Sequence, residues 1–504
     1  MASVKTNIAA NFIGKGVVAL TGLLFVPVYI NYLGIESYGL VGFYTTLQAL
    51  FGILDLGLSP TLNRELARLS VRTDAAQSSR DLVRTLEIIY WSIGAAIAVA
   101  VIAGAGVIAG NWLQFETLSL PTVTLSLMLI GVVIAFQWPF SFYEGGLLGL
   151  QRMVLYNGTQ SALQIIRAVG AVAVLHFISP TAVAFFVWQA VVSAVGAAAA
   201  AMILWRSLPA GGAPRFSKPL LKSVWRFAGG MTLISAVSLA LTQADKVLLS
   251  KLLTLSAFAY YSLAFVAGSA LYYLIYPIGG AVFPRLSQQV AAGDHVALVR
   301  TYHASCQLMT VITAPAALML IVFAPEVLLM WTGNAVTAER TAALVRVVTL
   351  GTLLNGFMNI PYSLQLAHGW TRLALYTNTI ALIVQVPVLF IAARTFGTIG
   401  AASVWLGLNV MYVTVGVNFM YRRLLTKERW RWYVQDILIP MAASGAVVAL
   451  ARLVMPSTMA GPQLFAVLAA AGSLALAAAA VVAPASREAI AEIAAVFQRR
   501  LENR

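Results

Sequence analysis

The residues of this chain that could do chemistry are ionisable side chains set in long apolar runs. Lys15, Asp55, Glu144, Arg167, Asp245, Lys246 and Arg346 each fall inside, or at the end of, a stretch otherwise rich in Leu, Val, Ala, Ile and Phe. A charge at the centre of a membrane helix costs about 2.5–3.5 kcal/mol on insertion scales, so it faces a bundle interior or a wet cavity. Lys15 and Arg167 lie deepest in their runs, while Asp55 and Glu144 close theirs. Lys15, Arg167, Lys246 and Arg346 are cations, and Asp245 is the one clear mid-run anion. That sign predicts a net positive interior, suited to a partner with anionic character such as a lipid pyrophosphate. Each residue also has a plainer reading. Asp245 can pair with a cation on a neighbouring helix. Lys246 lies about 100° around the helix from it and can snorkel to the interface, as can Arg346. Asp55 and Glu144 are close enough to the ends to be loop residues.

Enzyme constellations are missing from the sequence. His176, His295, His303 and His368 are scattered, and only His295 and His303 share a neighbourhood, without acidic or cysteine companions at ligand spacing. The chain has no phosphate-binding P-loop, and Cys306 is its lone cysteine. No metal, nucleotide or other cofactor is expected, and coupling to a proton or sodium gradient is left open.

The elements that must position these residues follow from composition. Of 504 residues, 60% are hydrophobic and 10% charged, with a mean hydropathy of +0.86. A soluble domain runs roughly 45–50% apolar and about 25% charged, so this chain could not cover a water-facing surface. Unbroken apolar runs of about 20 residues span a bilayer as helices, and the strict alternation of a β-barrel is missing. The fold class expected is therefore an all-α polytopic membrane protein. Its spans fall near 7–30, 38–58, 86–110, 118–142, 153–177, 181–204, 227–250, 257–283, 303–325, 341–366, 373–393, 398–420, 434–454 and 462–484, fourteen in all. The first is too long for a signal peptide and reads as a retained helix.

The net charge of +15 invites a nucleic-acid reading, until the basic residues are placed. With the N-terminus inside, 24 lysines and arginines fall in cytoplasmic segments, four in outer loops (Lys251, Arg340, Arg394 and Arg452) and four within spans. This is the positive-inside pattern, so the excess is topological and no nucleic-acid partner is expected. Reporters fused after residues 36, 115 and 335 are expected to read outside, and those after 75, 215, 292 and 427 inside. A reversed reporter at 215 or 427 would break the fourteen-span topology.

Two segments repeat at an offset of 220. Gly149-Leu-Gln-Arg152-Met-Val-Leu-Tyr156 matches Gly369-Trp-Thr-Arg372-Leu-Ala-Leu-Tyr376, and Leu33–Tyr38 lies over Leu253–Phe258. Trp138-Pro139-Phe140-Ser141 parallels Ile360-Pro361-Tyr362-Ser363 at 222. Six spans form the unit; six is even, so both copies point the same way, as in parallel-repeat transporters. The predicted division is a six-helix lobe over 1–215, a second over 216–433, two further helices over 434–485 and a cytoplasmic amphipathic tail over 486–504. The basic, Pro/Gly-bearing stretch 205–226 is the linker. Intramembrane prolines (Pro27, Pro139, Pro277, Pro315, Pro361, Pro387) predict kinks. Trp138, Tyr143, Trp188, Tyr272, Tyr273 and Tyr276 could stack on sugars or anchor at the interface.

The opening hundred residues resemble a known family. Pro27-Val-Tyr-Ile-Asn-Tyr-Leu-Gly-Ile-Glu-Ser-Tyr-Gly39, then Leu54-Asp-Leu-Gly-Leu58 and Asn63-Arg-Glu-Leu-Ala67, are similar to segments of the Wzx-type polysaccharide (O-antigen) flippases. These belong to the multidrug/oligosaccharidyl-lipid/polysaccharide exporter superfamily. Gly149-Leu-Gln-Arg152, Gln243-Ala-Asp-Lys246 and Ala259-Tyr-Tyr261 extend the resemblance, which covers 7–430. It implies two pseudo-symmetric six-helix lobes, as in the MATE exporters, around a cationic cavity. It also implies transfer of undecaprenyl-pyrophosphate-linked oligosaccharide from the inner to the outer leaflet of a bacterial inner membrane. By motif position it supports Arg64 and the pair Asp245-Lys246; Lys15, Arg167 and Arg346 rest on burial alone. Many O-antigen flippases are described with twelve spans, and the two extra helices here leave open a lipid II type of flippase. The remaining alternatives are a cation-coupled multidrug antiporter of the same superfamily and, from another class, a membrane glycan polymerase, which the short outer loops disfavour. The partners implied are a lipid-linked oligosaccharide, membrane lipids and other glycan-assembly proteins.

Overall fold

Backbone N–H and C=O groups in hydrocarbon must be satisfied within the segment, which leaves helices as the solution for these apolar runs. The computed structural model describes residues 4–55, 57–70, 75–455 and 461–484. Among them the one pairing of strand type is an isolated bridge between Gln114 and Thr254, and connecting loops join the helices. The expected tail 486–504 lies outside the described residues.

The helices are α1 (Val4–Leu33), α2 (Ile35–Phe51), α3 (Leu58–Leu69), α4 (Ala76–Asn111), α5 (Leu120–Gly149), α6 (Met153–Phe177), α7 (Ala182–Ser207) and α8 (Lys218–Leu252). There follow α9 (Leu255–Ser269), α10 (Tyr272–Ala292), α11 (His295–Val322), α12 (Ala324–Thr332), α13 (Ala335–Phe357), α14 (Asn359–Ala367) and α15 (Thr371–Met411). A π-helical segment, Tyr412–Gly416, continues α15 into α16 (Val417–Tyr421). A second, Trp432–Leu438, joins α17 (Arg429–Arg431) to α18 (Ile439–Val454), and α19 (Gly461–Val482) comes last.

Among the described residues, ten helical segments are long and apolar enough to cross a membrane, and eleven when α9 and α10, bent by 42° at their junction, count as one. The expected fourteen also require α2, α8 and a divided α15. At 1.5 Å per residue, the 41 residues of α15 would run about 60 Å, twice a bilayer core of about 30 Å. Gly397, at φ 61° and ψ −141°, breaks the helix where spans eleven and twelve should meet. One expected boundary is corrected. The second span stops at Phe51 rather than running to 58, because a 3-10 turn, Gly52–Asp55, leads into the amphipathic α3.

The 220-residue offset recurs in the element boundaries. Ile35, which opens α2, corresponds to Leu255, which opens α9; α3 has its counterpart in α10 and α4 in α11. The pair α13–α14 takes the place of α5, and the two halves of α15 that of α6 and α7.

The chain separates into two compact units, the first ending at Ala259 and the second starting at Tyr260. The first unit therefore extends past the 215/216 division read from the repeat, because α8 packs on α2, α3 and α4. Apolar side chains stand exposed along the helices, Val99 and Val107 on α4 and Leu453 on α18 among them, as a lipid-facing surface requires.

Buried polar braces hold the first unit. The Glu87 carboxylate on α4 accepts from the Tyr143 hydroxyl on α5 (2.8 Å), the Trp205 indole on α7 (3.0 Å) and Arg84 (2.9 Å). Glu36, in the first turn of α2, accepts from the backbone N–H groups of Glu116, Thr117 and Leu118 and from the Thr117 hydroxyl. The loop between α4 and α5 is thereby fastened to α2.

Candidate functional site

Five helices of the first unit, α1, α2, α5, α6 and α7, enclose a cavity of about 420 Å³. Each presents one helical face to it. On α6 that face is Gln160, Gln164 and Arg167; on α7 it is Phe185, Gln189, Ser193 and Gly196; on α5 it is Gln137, Phe140, Ser141 and Glu144. Side chains three, four and seven residues apart share a helix face, so each set points inward together. Val18, Thr21, Gly22 and Tyr29 of α1, with Val41, Tyr44 and Gln48 of α2, complete the wall.

Arg167 is the centre of this arrangement. Its Nη1 donates to Gln189 Oε1 and its Nη2 to Ser193 Oγ, each at 3.3 Å. The Gln137 amide turns its oxygen to both guanidinium Nη atoms, 3.2 Å from Nη2, and its nitrogen donates to the Tyr44 hydroxyl at 2.7 Å. The Trp188 indole donates to the Arg167 carbonyl at 3.2 Å. Every side-chain acceptor on the guanidinium is thus a neutral amide or hydroxyl, and none of the ion pairs among the described residues includes it. The charge is hydrogen-bonded without being neutralised.

Glu144 is the second ionisable group in the cavity, seven residues from Gln137 and so about 10 Å along α5. Its carboxyl bonds Gln160, and its Oε1 is buried with no hydrogen-bond partner among the described residues. Beside the cation expected from sequence, this cavity also holds an acid. The reason is the rotation of α5, which carries Glu144 inward on the same face as Gln137 and Ser141 rather than leaving it in a loop.

The other residues singled out from sequence lie elsewhere. Lys15 is exposed, one turn before Val18 on the face of α1 that lines the cavity. Arg64 sits on α3, 3.1 Å from Glu65 Oε1 and half exposed. Asp55 accepts from the Tyr90 hydroxyl of α4 and from the Ser59 N–H, bracing the turn into α3. Asp245 is buried on α8, and Lys246 next to it keeps its Nζ 3.4 Å from Gln243 Oε1. Arg346, on α13, donates from Nε to the Ile321 carbonyl of α11 at 3.1 Å, beside a shallow groove with Glu326 and Glu339. Of the aromatic residues expected to stack on sugars, none lines this cavity; Tyr29, Tyr44, Phe140 and Phe185 do. Trp138 instead packs against Tyr90, and Tyr272 stacks on Tyr276 at 4.9 Å.

Sequence reasoning passed over the five glutamines, Gln48, Gln137, Gln160, Gln164 and Gln189. The signal was available: Gln160, Gln164 and Arg167 stand at i, i+4 and i+7 in an apolar run, as do Gln189 and Ser193 at i and i+4.

Comparison with known proteins places this architecture. The family model described as MatE matches residues 231–391. A Shigella flexneri protein described as "Putative O-antigen transporter" is 22% identical over 428 residues, 84% of this chain and 98% of that one. Among solved structures, the lipid II flippase MurJ in an inward closed conformation superposes with a TM-score of 0.70 at 13% identity, covering 95% of this chain and 98% of its own. An inward-facing multidrug resistance MATE transporter gives 0.64 at 14% identity over 81% and 95%. The model described as Polysaccharide biosynthesis protein matches residues 4–290, more than half the chain. The chain therefore belongs to the polysaccharide biosynthesis protein family, a multi-pass membrane transporter family of the multidrug/oligosaccharidyl-lipid/polysaccharide exporter superfamily.

Proposed function

We propose that this protein moves an undecaprenyl-pyrophosphate-linked oligosaccharide from the inner to the outer leaflet of a bacterial inner membrane by alternating access, with both termini cytoplasmic. The observation that carries this reading is Arg167, a cation whose side-chain acceptors are all neutral, in a cavity lined by glutamines. Its planar fork suits phosphate oxygens, which can take two parallel N–H bonds. The glutamine amides, each both donor and acceptor, suit the hydroxyls of a sugar headgroup. The similarity to a protein described as an O-antigen transporter supports the substrate class.

A lipid II type of cargo is the second reading. It is favoured by the superposition on the lipid II flippase over 95% of this chain, which takes in most of its length beyond the six-helix repeats. Both cargoes are prenyl-pyrophosphate-linked glycans, so one experiment separates them. In a strain deleted for the gene, the lipid-linked glycan that accumulates in the cytoplasmic leaflet identifies the cargo. No accumulation of any such glycan overturns the flippase reading.

The energy source follows from the same charge argument. An inside-negative potential favours outward movement of a negative headgroup by about 2.3 kcal/mol per net charge per 100 mV. Proton or sodium exchange would supply a further driving force. In proteoliposomes, translocation of the lipid-linked glycan is expected to rise with an imposed inside-negative potential and to proceed without ATP. Transport indifferent to potential and ion gradients yet dependent on ATP would refute this.

A further inference from the structure

The second unit carries a cluster, buried at His303 and Asp436 and partly exposed at Glu428, that neither the cavity nor the proposed transport uses. His303, near the start of α11, is 2% exposed, and Asp436, within the π-helical segment before α18, is fully buried. His303 Nδ1 lies 2.5 Å from Asp436 Oδ2, and His303 Nε2 lies 3.0 Å from Glu428 Oε2. Gln307, one turn further along α11, donates to the other Asp436 oxygen at 2.9 Å. Arg431 stands 3.6 Å from Glu428 Oε2. The surroundings are apolar or aromatic: Cys306, Trp432 and Ile437, with the Tyr302 and Tyr421 hydroxyls bonded to each other at 2.7 Å.

Both ring nitrogens of His303 therefore face carboxylate oxygens. A neutral imidazole has one N–H and one lone pair, and an ionised carboxylate only accepts. A neutral ring between two ionised acids would leave one contact with no hydrogen in it, two lone pairs facing each other at hydrogen-bond distance. Two hydrogen bonds need two protons, placed either as an imidazolium between two carboxylates or as a neutral imidazole and one carboxylic acid. Either way the cluster holds one proton more than a neutral histidine and two ionised acids. With that proton His303, Asp436, Glu428 and Arg431 are neutral as a group; without it they are singly negative. π-helical segments frequently occur at functional sites, and this one supplies Asp436.

We propose that His303, Asp436 and Glu428 form a proton-binding site that fastens the α17–α18 segment to α11, and that loss of the proton loosens this joint. The joint matters because α11 packs against the π-helical segment, α18 and α19, so it ties the last two helices to the rest of the unit. Other charges on the packed elements are cations: Arg285 on α10, Arg300 one turn before His303 on α11, Arg422 and Arg423 after α16, and Lys427 and Arg429 on either side of Glu428, with Arg429 donating to Asn418 at 3.2 Å. Arg346 of α13 meets α11 at Ile321, eighteen residues or about 27 Å along from His303. Glu339 and Arg340 of α13 stand earlier on that helix than Arg346. Glu326 of α12 pairs with Arg452, and α19 has no titratable residue. The sign follows: a proton held more firmly in the docked joint than in the open one favours docking at low pH, and that preference fades as pH rises.

The test uses the full chain in lipid nanodiscs. At about pH 8, where a free imidazole of pKa about 6.5 is neutral, nitrogen NMR of labelled histidine, assigned with His303→Asn, is expected to show one of two signatures. Either His303 is protonated on both nitrogens, or it is neutral and infrared spectroscopy shows a carboxylic acid band that Asp436→Asn or Glu428→Gln removes. A neutral ring with no such band overturns the proposal. Backbone hydrogen exchange over 429–440, corrected for its intrinsic pH dependence, should speed up at least tenfold between about pH 6 and pH 9. Asp436→Asn and Glu428→Gln each supply an amide N–H to a neutral ring, so they should keep the joint closed and flatten that dependence. A flat wild-type profile, or an unchanged slope in both variants, also overturns it.

Discussion

Arg167→Ala is expected to abolish glycan export while the amount of membrane-inserted protein stays near wild type. The separation of the two effects comes from the partners of the guanidinium. Removing one member of a buried ion pair leaves an unpaired charge and costs about 3–5 kcal/mol. Among the described residues Arg167 has no such partner. Gln137 keeps its bond to the Tyr44 hydroxyl, and Ser193 keeps its own to the Gln189 carbonyl at 2.7 Å. The stability lost is then that of ordinary neutral hydrogen bonds, about 1 kcal/mol each. Loss of a hydrogen bond from a charged donor to the cargo costs about 1.5–3 kcal/mol, a factor of ten to more than a hundred. Arg167→Lys restores a point charge without the fork, so it should retain partial export, whereas Arg167→Glu should retain none. The measurement is export per inserted molecule. Normal export by the alanine variant on that scale removes Arg167 from the site, and a collapse in abundance instead assigns it a structural role.

Gly149→Asn is expected to destabilise the protein by at least about 1–3 kcal/mol, and Gly369→Asn by much less, although the two glycines align in the repeat. A Cβ at Gly149 would meet Asn63 of α3 at its backbone oxygen (2.6 Å), Cα (3.0 Å) and carbonyl carbon (3.1 Å). Those are backbone atoms, which cannot rotate aside. At Gly369 a Cβ has nothing within 4 Å, but φ is +67°, a conformation that asparagine adopts far more readily than other L-residues. One glycine is needed for close approach and the other for a left-handed turn between α14 and α15. Thermal unfolding of the two variants in the same detergent checks this, and equal losses would falsify the division of roles.

These expectations differ in how far they could be read from the residues alone. Hydropathy and charge placement are sums over neighbouring residues, so the all-helical membrane class and the position of most helices followed from them directly. The 220-residue repeat was legible for a similar reason: the turns at 149–152 and 369–372 conserve small local patterns that end one helix and begin the next. Even there the residues could not say that Gly149 and Gly369 do different work. The second span was misread at its end because Gly52–Asp55 is apolar enough to pass for helix, while its 3-10 turn is imposed by the docking of α3 and by Tyr90 bonding Asp55.

What only the tertiary structure decided is the rotation of each helix about its own axis. That rotation depends on the packing of all its neighbours at once, and a single apolar run contains almost no information about it. It turned Glu144 into the cavity with Arg167, brought five glutamines from four helices around them, and sent Arg64 to a surface pair with Glu65. It also closed His303 onto Asp436, 133 residues further along the chain. A histidine without acidic neighbours in sequence gave no sign of that contact, because its partners are supplied by another helix.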